Sequence, residues 1–308
     1  MSRPSTLGLP ANVSAGRLET SRGAFAVLDA APDPAVRPLG TALLVPGFTG
    51  SKEDFLDLLD PLTTAGYRIV AVDGRGQHES AGPRDEAAYA QDRLATDVIA
   101  QGAAVTGAYG PGPLHLLGHS LGGHIARAAV LAGGPAPWTS LTLMSSGPAE
   151  IAPSQQIRTR LLVEHLPTMD METAWVAMRQ MDAAHAAEDP SVTDSALDSG
   201  DPAWLEEFLH RRWVTTVPEQ LIATAKQLMT EPDRVAELAA VPLPKLVLSG
   251  EVDYAWPVSA MDAMAVRLTA DRVVIKGAGH SPNAERPLET AAALAAFWGG
   301  ATASATGE

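Results

Sequence analysis

The 308-residue chain contains no cysteine. Disulfides, thiolate zinc sites, iron–sulfur clusters and a cysteine nucleophile are therefore all excluded. Basic residues are also scarce, with 22 lysines and arginines against 36 acidic residues and a formal net charge of −14. Because a protein this acidic repels phosphate backbones and anionic lipid surfaces, we expect no nucleic-acid partner.

Long hydrophobic runs are missing too. No uncharged apolar run approaches the ~20 residues that a membrane-spanning helix needs, and the first 16 residues lack the apolar core of a secretory signal. We therefore expect a cytoplasmic protein with no membrane span. The chain is nevertheless 46% hydrophobic, which is enough for a sizeable core.

Short apolar runs bounded by turn residues predict strands that are buried on both faces of a sheet. Six of them cover residues 41–45, 67–72, 114–117, 141–144, 245–248 and 272–275. Helix-length segments between them cover residues 51–65, 86–109, 121–132, 257–268 and 288–297. This alternation predicts an α/β protein with a mostly parallel central sheet and helices on both faces.

A pair of earlier runs, residues 16–21 and 24–29, fits a hairpin that turns at Arg22-Gly23 and adds an antiparallel edge to the sheet. Glycine immediately after a polar residue is a common turn signal between two strand-like runs. The sheet is therefore expected to be parallel except at this edge.

The alternation stops within residues 147–244, which hold four helix-like patterns and frequent prolines. We interpret this stretch as a helical cap inserted into an α/β core formed by residues 16–146 and 245–298. The simpler alternative is a set of helices packed beside the sheet. Residues 1–15 and 299–308 are expected to be unstructured, flexible tails.

The strongest local signal is Gly118-His119-Ser120-Leu121-Gly122, a G-x-S-x-G pattern between a predicted strand and a predicted helix. In such a turn the glycines allow the strand and the helix to approach closely, and the serine is forced into a strained conformation with its hydroxyl exposed. This context predicts a nucleophilic Ser120. The alternative is an ordinary helix start capped by the serine.

A serine nucleophile needs a base, and the base needs a carboxylate to orient it. His280 lies in a turn after the last predicted strand, at the sheet edge where Ser120 also lies. Asp253 follows the preceding strand and is the candidate acid, with Glu251 as its local rival. For His280 the alternative is a surface-loop residue.

Acyl transfer also needs N–H donors that point at the developing oxyanion. The candidates are the backbone N–H groups of Leu121, at the start of the helix, and of Phe48, in the loop after the first parallel strand. Gly47 permits an unusual backbone before Phe48, although the alternative is an ordinary Pro-Gly turn.

Candidate pocket residues are Gly47 and His119, beside the predicted catalytic groups, and Trp175, Trp204 and Trp213 of the insertion. Tryptophans and methionines at helical spacing are usually core residues, but above an active site they would form an apolar acyl or alcohol pocket. The insertion histidines have no i, i+4 pairing, so no metal site is expected. The predicted chemistry also needs no cofactor.

Four motifs in this order resemble the α/β-hydrolase fold superfamily. They are VPGFTGS, GHSLGG, SGEVD and GAGHSPNAERP, which begin at residues 45, 118, 249 and 277. A fifth segment, VDGRGQHES from residue 72, is similar to the family's D-x-R-G-x-G-x-S turn. Two departures are Pro46-Gly47 in place of the usual His-Gly, and Gln77-His78 where family members usually carry His-Gly.

The resemblance implies the α/β-hydrolase fold, with the segment 147–244 matching the family's variable cap. It also implies Ser120 as nucleophile, His280 as base and Asp253 as acid. By the same resemblance, Phe48 and Leu121 are the oxyanion donors.

These observations predict a serine hydrolase that cleaves carboxylic esters with small-to-medium apolar groups. Its expected partner is a small-molecule substrate, and a homo-oligomer is left open. An aspartate would stand at position 120 in dehalogenases and epoxide hydrolases, so those reactions are not expected. Two alternatives are a carbon–carbon hydrolase, lactonase, thioesterase or perhydrolase with the same triad, and a non-catalytic small-molecule receptor. The complete Ser–Asp–His set argues against the receptor.

Overall fold

The computed structural model describes residues 2–32, 34–188 and 202–306. Within these residues, eight strands form one sheet: β1 (Val13–Thr20), β2 (Gly23–Ala30), β3 (Gly40–Val45), β4 (Tyr67–Val72), β5 (Leu114–His119), β6 (Ser140–Met144), β7 (Lys245–Gly250) and β8 (Asp271–Ile275). Their order across the sheet is β1-β2-β4-β3-β5-β6-β7-β8. β2 runs antiparallel to β1 and β4, and the pairs from β4 to β8 are parallel. The predicted mostly parallel sheet is confirmed, and the hairpin turns one residue earlier than expected.

Helices connect the parallel strands and cover the sheet. The α-helices described are α1 (Leu56–Thr64), α2 (Gln91–Tyr109), α3 (Leu121–Gly133), α4 (Pro153–His165), α5 (Met171–Glu188), α6 (Ala203–Thr215), α7 (Pro218–Thr230), α8 (Val235–Ala239), α9 (Val258–Leu268), α10 (Pro282–Glu285) and α11 (Pro287–Thr306). Single 3₁₀ turns lie at Lys52–Phe55, Glu86–Tyr89 and Leu166–Thr168.

The strands β3 to β7 are buried on both faces, because helices cover both sides of the sheet and successive strand residues point to opposite sides. Leu43 and Leu116 belong to an apolar cluster that includes side chains of α2, α3 and α9. Their neighbours Leu44 and Leu117 belong to a second cluster with side chains of α1 and α11. The continuous apolar runs seen in the sequence therefore correspond to strands whose two faces each pack against helices.

The helices α4 to α7, called the insertion helices below, lie in the chain between β6 and β7. Helices α5, α6 and α7 and the 3₁₀ turn at Leu166 form an apolar cluster, against which α4 packs with Leu162 and Val163. The cluster consists of Leu166, Ala174, Trp175, Leu205, Phe208, Leu209, Trp213, Leu221 and Ile222. Residues 189–201 of the predicted cap lie outside the described residues. In the part of the chain that the structure describes, no helix has the length and apolarity to cross a bilayer.

Both predicted tails differ from the structure. Helix α11 continues to Thr306, because Ala291, Leu294, Trp298 and Ala301 form a buried stripe at helical spacing along it. That burial outweighs the cost of about 1 kcal/mol that each glycine at positions 299 and 300 adds to a helix. Residues 307 and 308 lie outside the described residues.

At the other end, β1 already begins at Val13, inside the predicted N-terminal tail. Ser2 is buried, with 2% of its surface exposed. The Ser2 hydroxyl donates a hydrogen bond to the hydroxyl of Ser281 at 3.0 Å. Residue 1 of this predicted tail lies outside the described residues.

Strand β5 and helix α3 meet at a turn with no room for side chains at its glycines. A Cβ at Gly118 would overlap the carbonyl oxygen of Gly122, and a Cβ at Gly122 would overlap the carbonyl oxygen of Val45. Backbone atoms cannot give way as a flexible side chain can. The close approach of this strand and helix therefore depends on glycine at both positions.

We predict that Gly118→Ala or Gly122→Ala lowers the free energy of unfolding by about 1–3 kcal/mol, because an added methyl group overpacks this contact. The control is Gly107→Ala in α2, where an added Cβ meets nothing within 4 Å. That substitution should instead stabilise the chain by about 0.5–1 kcal/mol. Urea unfolding measures all three changes. Equal stability of the three variants would contradict the packing argument.

Candidate active site

Ser120 occupies the turn between β5 and α3 with φ 54° and ψ −122°. For a residue other than glycine this backbone conformation costs on the order of 1–3 kcal/mol, and tertiary packing must hold it in place. The Ser120 N–H donates to the carbonyl of Met144 on β6 at 2.9 Å. The Ser120 side chain makes no capping hydrogen bond to α3. The capped-helix alternative is therefore not what the structure contains.

His280 follows β8 and is held by Asp253, which follows β7. The His280 Nδ1 lies 2.9 Å from Oδ2 of Asp253. Oδ1 of Asp253 accepts the backbone N–H groups of Ala255 at 2.8 Å and Trp256 at 3.1 Å. Because a carboxylate only accepts, Nδ1 of the ring carries the proton, and Nε2 of a neutral ring is left as a hydrogen-bond acceptor.

Glu251 does not compete for the ring of His280. Its Oε2 accepts the backbone N–H of Gly277 at 3.1 Å, at an exposed position. Of the two acids considered from the sequence, the structure brings Asp253 to the histidine.

Ser120 and His280 line the same cavity, which has a volume of about 200 Å³. Both are largely buried, with 8% of each residue exposed. Among the described residues, the Ser120 hydroxyl is not hydrogen-bonded to the His280 ring. Catalytic hydrogen bonds of this kind are often long before substrate binds and tighten in the complex.

The two expected oxyanion donors flank Ser120. Leu121 is the first residue of α3, and Phe48 lies in the loop after β3 and lines the cavity. A Cβ on Gly47 would lie 3.2 Å from Cβ of Ser120, so this loop runs directly against the serine. Within the described residues, neither the Phe48 N–H nor the Leu121 N–H donates to a protein acceptor. Both groups are therefore without a protein acceptor in this part of the chain, and Phe48 is the one of the two that lines the cavity.

His119 lines the cavity as the sequence suggested, and its Nε2 lies 2.8 Å from the backbone carbonyl of His280. Burial, together with the neighbouring His280, lowers the pKa of His119 to about 3. Its ring is therefore neutral at ordinary pH and donates from Nε2 to that carbonyl. His119 thus holds the segment that carries the candidate base.

The walls of the cavity are mostly apolar side chains from the segment between β6 and β7: Ile151, Leu161, Leu162, Leu166, Met169, Ala174, Ala177, Met178, Met181 and Leu228. Charged lining residues include Arg158 and Asp54. Asp54 is buried and paired with Arg212 of α6 at 2.6 Å. Burial raises the pKa of Asp54 even though Arg212 opposes that shift.

The three tryptophans that the sequence suggested for the pocket lie elsewhere. Trp175 and Trp213 are buried among the insertion helices, and Nε1 of Trp213 donates to the carbonyl of Met171 at 2.8 Å. Trp204 is 37% exposed and does not line the cavity. Large rings bury the most area when they face the core of their own helical layer, so flexible methionines and leucines line the cavity instead.

Sequence reasoning missed Ser2 and Ser281, which also line the cavity. The Ser2 hydroxyl is hydrogen-bonded to Ser281, the residue after His280. The carbonyl of Ser2 accepts a hydrogen bond from Nη2 of Arg212 at 3.3 Å. The N-terminal segment therefore contacts both the loop of the candidate base and an insertion helix. The partners are 279 residues apart in the chain, so no local pattern reveals the contact.

No cluster of three metal-ligating side chains occurs among the residues that the structure describes.

Comparisons with known proteins identify the family and the fold. The sequence model of the alpha/beta hydrolase family matches residues 42–293. A curated relative is the 2-hydroxy-6-oxononadienedioate/2-hydroxy-6-oxononatrienedioate hydrolase 1 of Dechloromonas aromatica (strain RCB). This chain is 28% identical to it over 226 residues, which is 70% of each chain.

Solved structures with the same fold include a membrane phospholipase A described as a bacterial virulence factor. It superposes with a TM-score of 0.71 at 26% identity, covering 94% of this chain and 87% of the other. A thermophilic esterase from Thermogutta terrifontis superposes with a TM-score of 0.71 at 21% identity, covering 94% and 99% of the two chains. The second likeness shows the fold alone.

We predict that Asp253→Asn lowers kcat by roughly 10³–10⁴-fold, because an amide donates to Nδ1 and favours the wrong tautomer of His280. Glu251→Gln is the matched control, since it removes one nearby negative charge without touching the ring. Steady-state hydrolysis of an ester that the wild type accepts measures both. Losses of equal size would overturn the assignment of the acid.

Proposed function

The chain belongs to the alpha/beta hydrolase family, and from this premise we propose that it is a serine hydrolase of carboxylic esters. The observation that carries the proposal is the hydrogen bond between Asp253 and His280, formed beside a strained serine in a shared apolar cavity. A strained backbone at Ser120 and a buried pair of ionisable side chains both reduce the stability of the folded protein. Their meeting at one cavity is typical of a catalytic site.

In the proposed mechanism, Nε2 of His280 takes the proton from the Ser120 hydroxyl as its oxygen attacks the ester carbonyl. Asp253 stabilises the imidazolium that forms. His280 then returns the proton to the leaving alcohol as the carbon–oxygen bond breaks, which leaves an acyl group on Ser120. Water, activated by the same histidine, hydrolyses that acyl-enzyme and regenerates the serine.

The negative charge on the carbonyl oxygen is stabilised by the Phe48 and Leu121 N–H groups. These donors belong to a rigid loop and a helix start, so they need little reorganisation when charge develops. The N-terminus of α3 adds the partial positive charge of its helix dipole at the same place.

We propose further that the insertion helices act as a cap whose apolar side chains bind the acyl or alcohol group. Seven of the eleven lining residues that these helices contribute are leucine, methionine or alanine, and the other four are polar or charged residues of α4. Such a wall binds aliphatic groups through burial, and the net charge of −14 disfavours anionic substrates. Small-to-medium uncharged esters fit this combination best.

A carbon–carbon hydrolase is the second candidate, because the relative from Dechloromonas aromatica carries the name of a dienedioate and trienedioate hydrolase. The substrates in that name are dicarboxylates, which need cationic groups in the pocket. Here Arg158 is a cationic lining residue, but most of the wall contributed by the segment between β6 and β7 is apolar, and Asp54 is acidic. The site therefore favours neutral esters over dicarboxylates.

We expect Ser120→Ala to reduce hydrolysis of p-nitrophenyl acetate and butyrate to background, because no other group in the proposed mechanism attacks the carbonyl. The same assay with thioesters, lactones and vinylogous diketones distinguishes the alternatives. Ester turnover that survives in Ser120→Ala would refute the proposal. Faster turnover of a vinylogous diketone would replace it with the carbon–carbon hydrolase.

A second prediction concerns the apolar wall. Met178→Ala should raise the ratio of kcat/KM for hexanoate to that for acetate by about 5–10-fold, because the shortened side chain admits further methylenes. Met171→Ala on the same helix is the matched control, since Met171 does not line the cavity. Chain-length profiles that change equally in both variants would argue against an acyl site under α5.

A further inference from the structure

The turn after β4 contacts the loop that carries the Phe48 N–H. Within that turn the side chain of Gln77 is buried, with 4% of the residue exposed. Its Nε2 donates to the carbonyl of Gly47 at 2.7 Å and lies 3.3 Å from the carbonyl of Phe48. Its Oε1 accepts the N–H of Gly74 at 3.0 Å. Both the oxygen and the nitrogen of the side-chain amide are therefore hydrogen-bonded. Because one partner is a donor and the other an acceptor, these contacts also identify which atom is the nitrogen.

The hydrogen bond to the carbonyl of Gly47 restrains the peptide unit that also contains the Phe48 N–H. The carbonyl of Gly47 and the N–H of Phe48 belong to the same planar peptide unit. In a trans unit these two groups point in opposite directions. A hydrogen bond that holds the carbonyl on the side of Gln77 therefore fixes the N–H on the opposite side, away from Gln77.

The same carbonyl also accepts the N–H of Gly50 at 3.2 Å, so two donors restrain it. Hydrogen bonds to a carbonyl polarise its peptide unit and make its N–H a better donor. Gln77 is thus placed to orient the candidate oxyanion donor and to strengthen it.

A second contact joins the segment after β3 to the segment after β4. The backbone N–H of Lys52 donates to Oδ1 of Asp73 at 2.7 Å, and its buried ammonium lies 3.1 Å from Oδ2. Lys52 also pairs with Glu53 at 2.7 Å and Glu79 at 2.9 Å. Because this second connection does not involve Gln77, a change at Gln77 should leave the two segments attached.

From these contacts we infer that Gln77 is a positioning residue for the oxyanion hole. It is not one of the residues that line the cavity, so it acts on the substrate only through the Gly47–Phe48 peptide. The inference rests on the proposed function, since it needs a reaction in which a carbonyl oxygen becomes negative. It also gives a role to the departure from the family's usual turn at this position.

The main test is Gln77→Met, which keeps the length of the side chain and removes both hydrogen bonds to the carbonyls. We expect kcat to fall roughly 10–100-fold with little change in KM, because a misdirected donor costs less than the ~10²–10³-fold loss of a deleted one. Affinity for a trifluoromethyl ketone, whose adduct carries an oxyanion, should fall by a similar factor. A variant that lost only packing would not show matched decreases in kcat and in affinity for the trifluoromethyl ketone.

The matched control is Gln227→Met on α7. Gln227 also donates its Nε2 to a backbone carbonyl, that of Tyr89 at 2.6 Å, but it does not line the cavity. The Gln227→Met variant should have kcat, KM and inhibitor affinity near the wild-type values. Urea unfolding of all variants shows which of them are folded.

Gln77→Glu provides a second test should the methionine variant fail to fold. A buried carboxylic acid can donate to the carbonyl of Gly47 while it is protonated, whereas a carboxylate repels it. The ratio of variant to wild-type kcat should therefore rise as the pH is lowered. A ratio that is flat with pH would overturn the inference, as would a folded Gln77→Met variant with wild-type kcat and inhibitor affinity.

Ser120→Ala, assayed in parallel, separates this inference from the proposed function. If the wild type shows no hydrolysis that depends on Ser120, the proposed function itself is wrong. If that hydrolysis exists and the Gln77 variants match the wild type, only the role of Gln77 is wrong.

Discussion

The turn at Ser120 is the constraint on which the rest of the site depends. A non-glycine residue with φ 54° is unfavourable by itself, and the fold maintains it by packing β5 against α3 through glycines. The same turn places the first N–H of α3 beside the serine. The proposed nucleophile and the proposed oxyanion donor are thus two consequences of one backbone geometry, and neither can be moved without the other.

The remaining groups meet Ser120 because parallel strands end at the same edge of the sheet. Loops after β3, β4, β7 and β8 carry Phe48, Gln77, Asp253 and His280 respectively. The loops after β3 and β4 are joined by the hydrogen bond from Gln77 to the carbonyl of Gly47, and His119 at the end of β5 holds the loop after β8 through the carbonyl of His280. The buried Lys52 belongs to this framework: burial lowers its pKa, but Asp73 and Glu53 raise it by more, so the ammonium stays charged.

Much of this arrangement could be predicted from the sequence, because it follows from local patterns. Apolar runs located the parallel strands, and the G-x-S-x-G turn placed Ser120 between a strand and a helix. The orientation of the insertion helices was not predictable, since periodicity does not say whether Trp213 faces its own layer or the cavity. The burial of Ser2 and the extension of α11 past Gly300 depend on tertiary contacts that no local window contains.

Covalent labelling can establish whether Ser120 is the nucleophile. The protein is treated with a fluorophosphonate, digested, and mapped by mass spectrometry, with Asp253→Asn labelled in parallel. We expect a single phosphonyl group on the peptide containing Ser120, formed far more slowly in the Asp253→Asn protein. Absence of that adduct, or an adduct on Ser2 or Ser281 in its place, would contradict it.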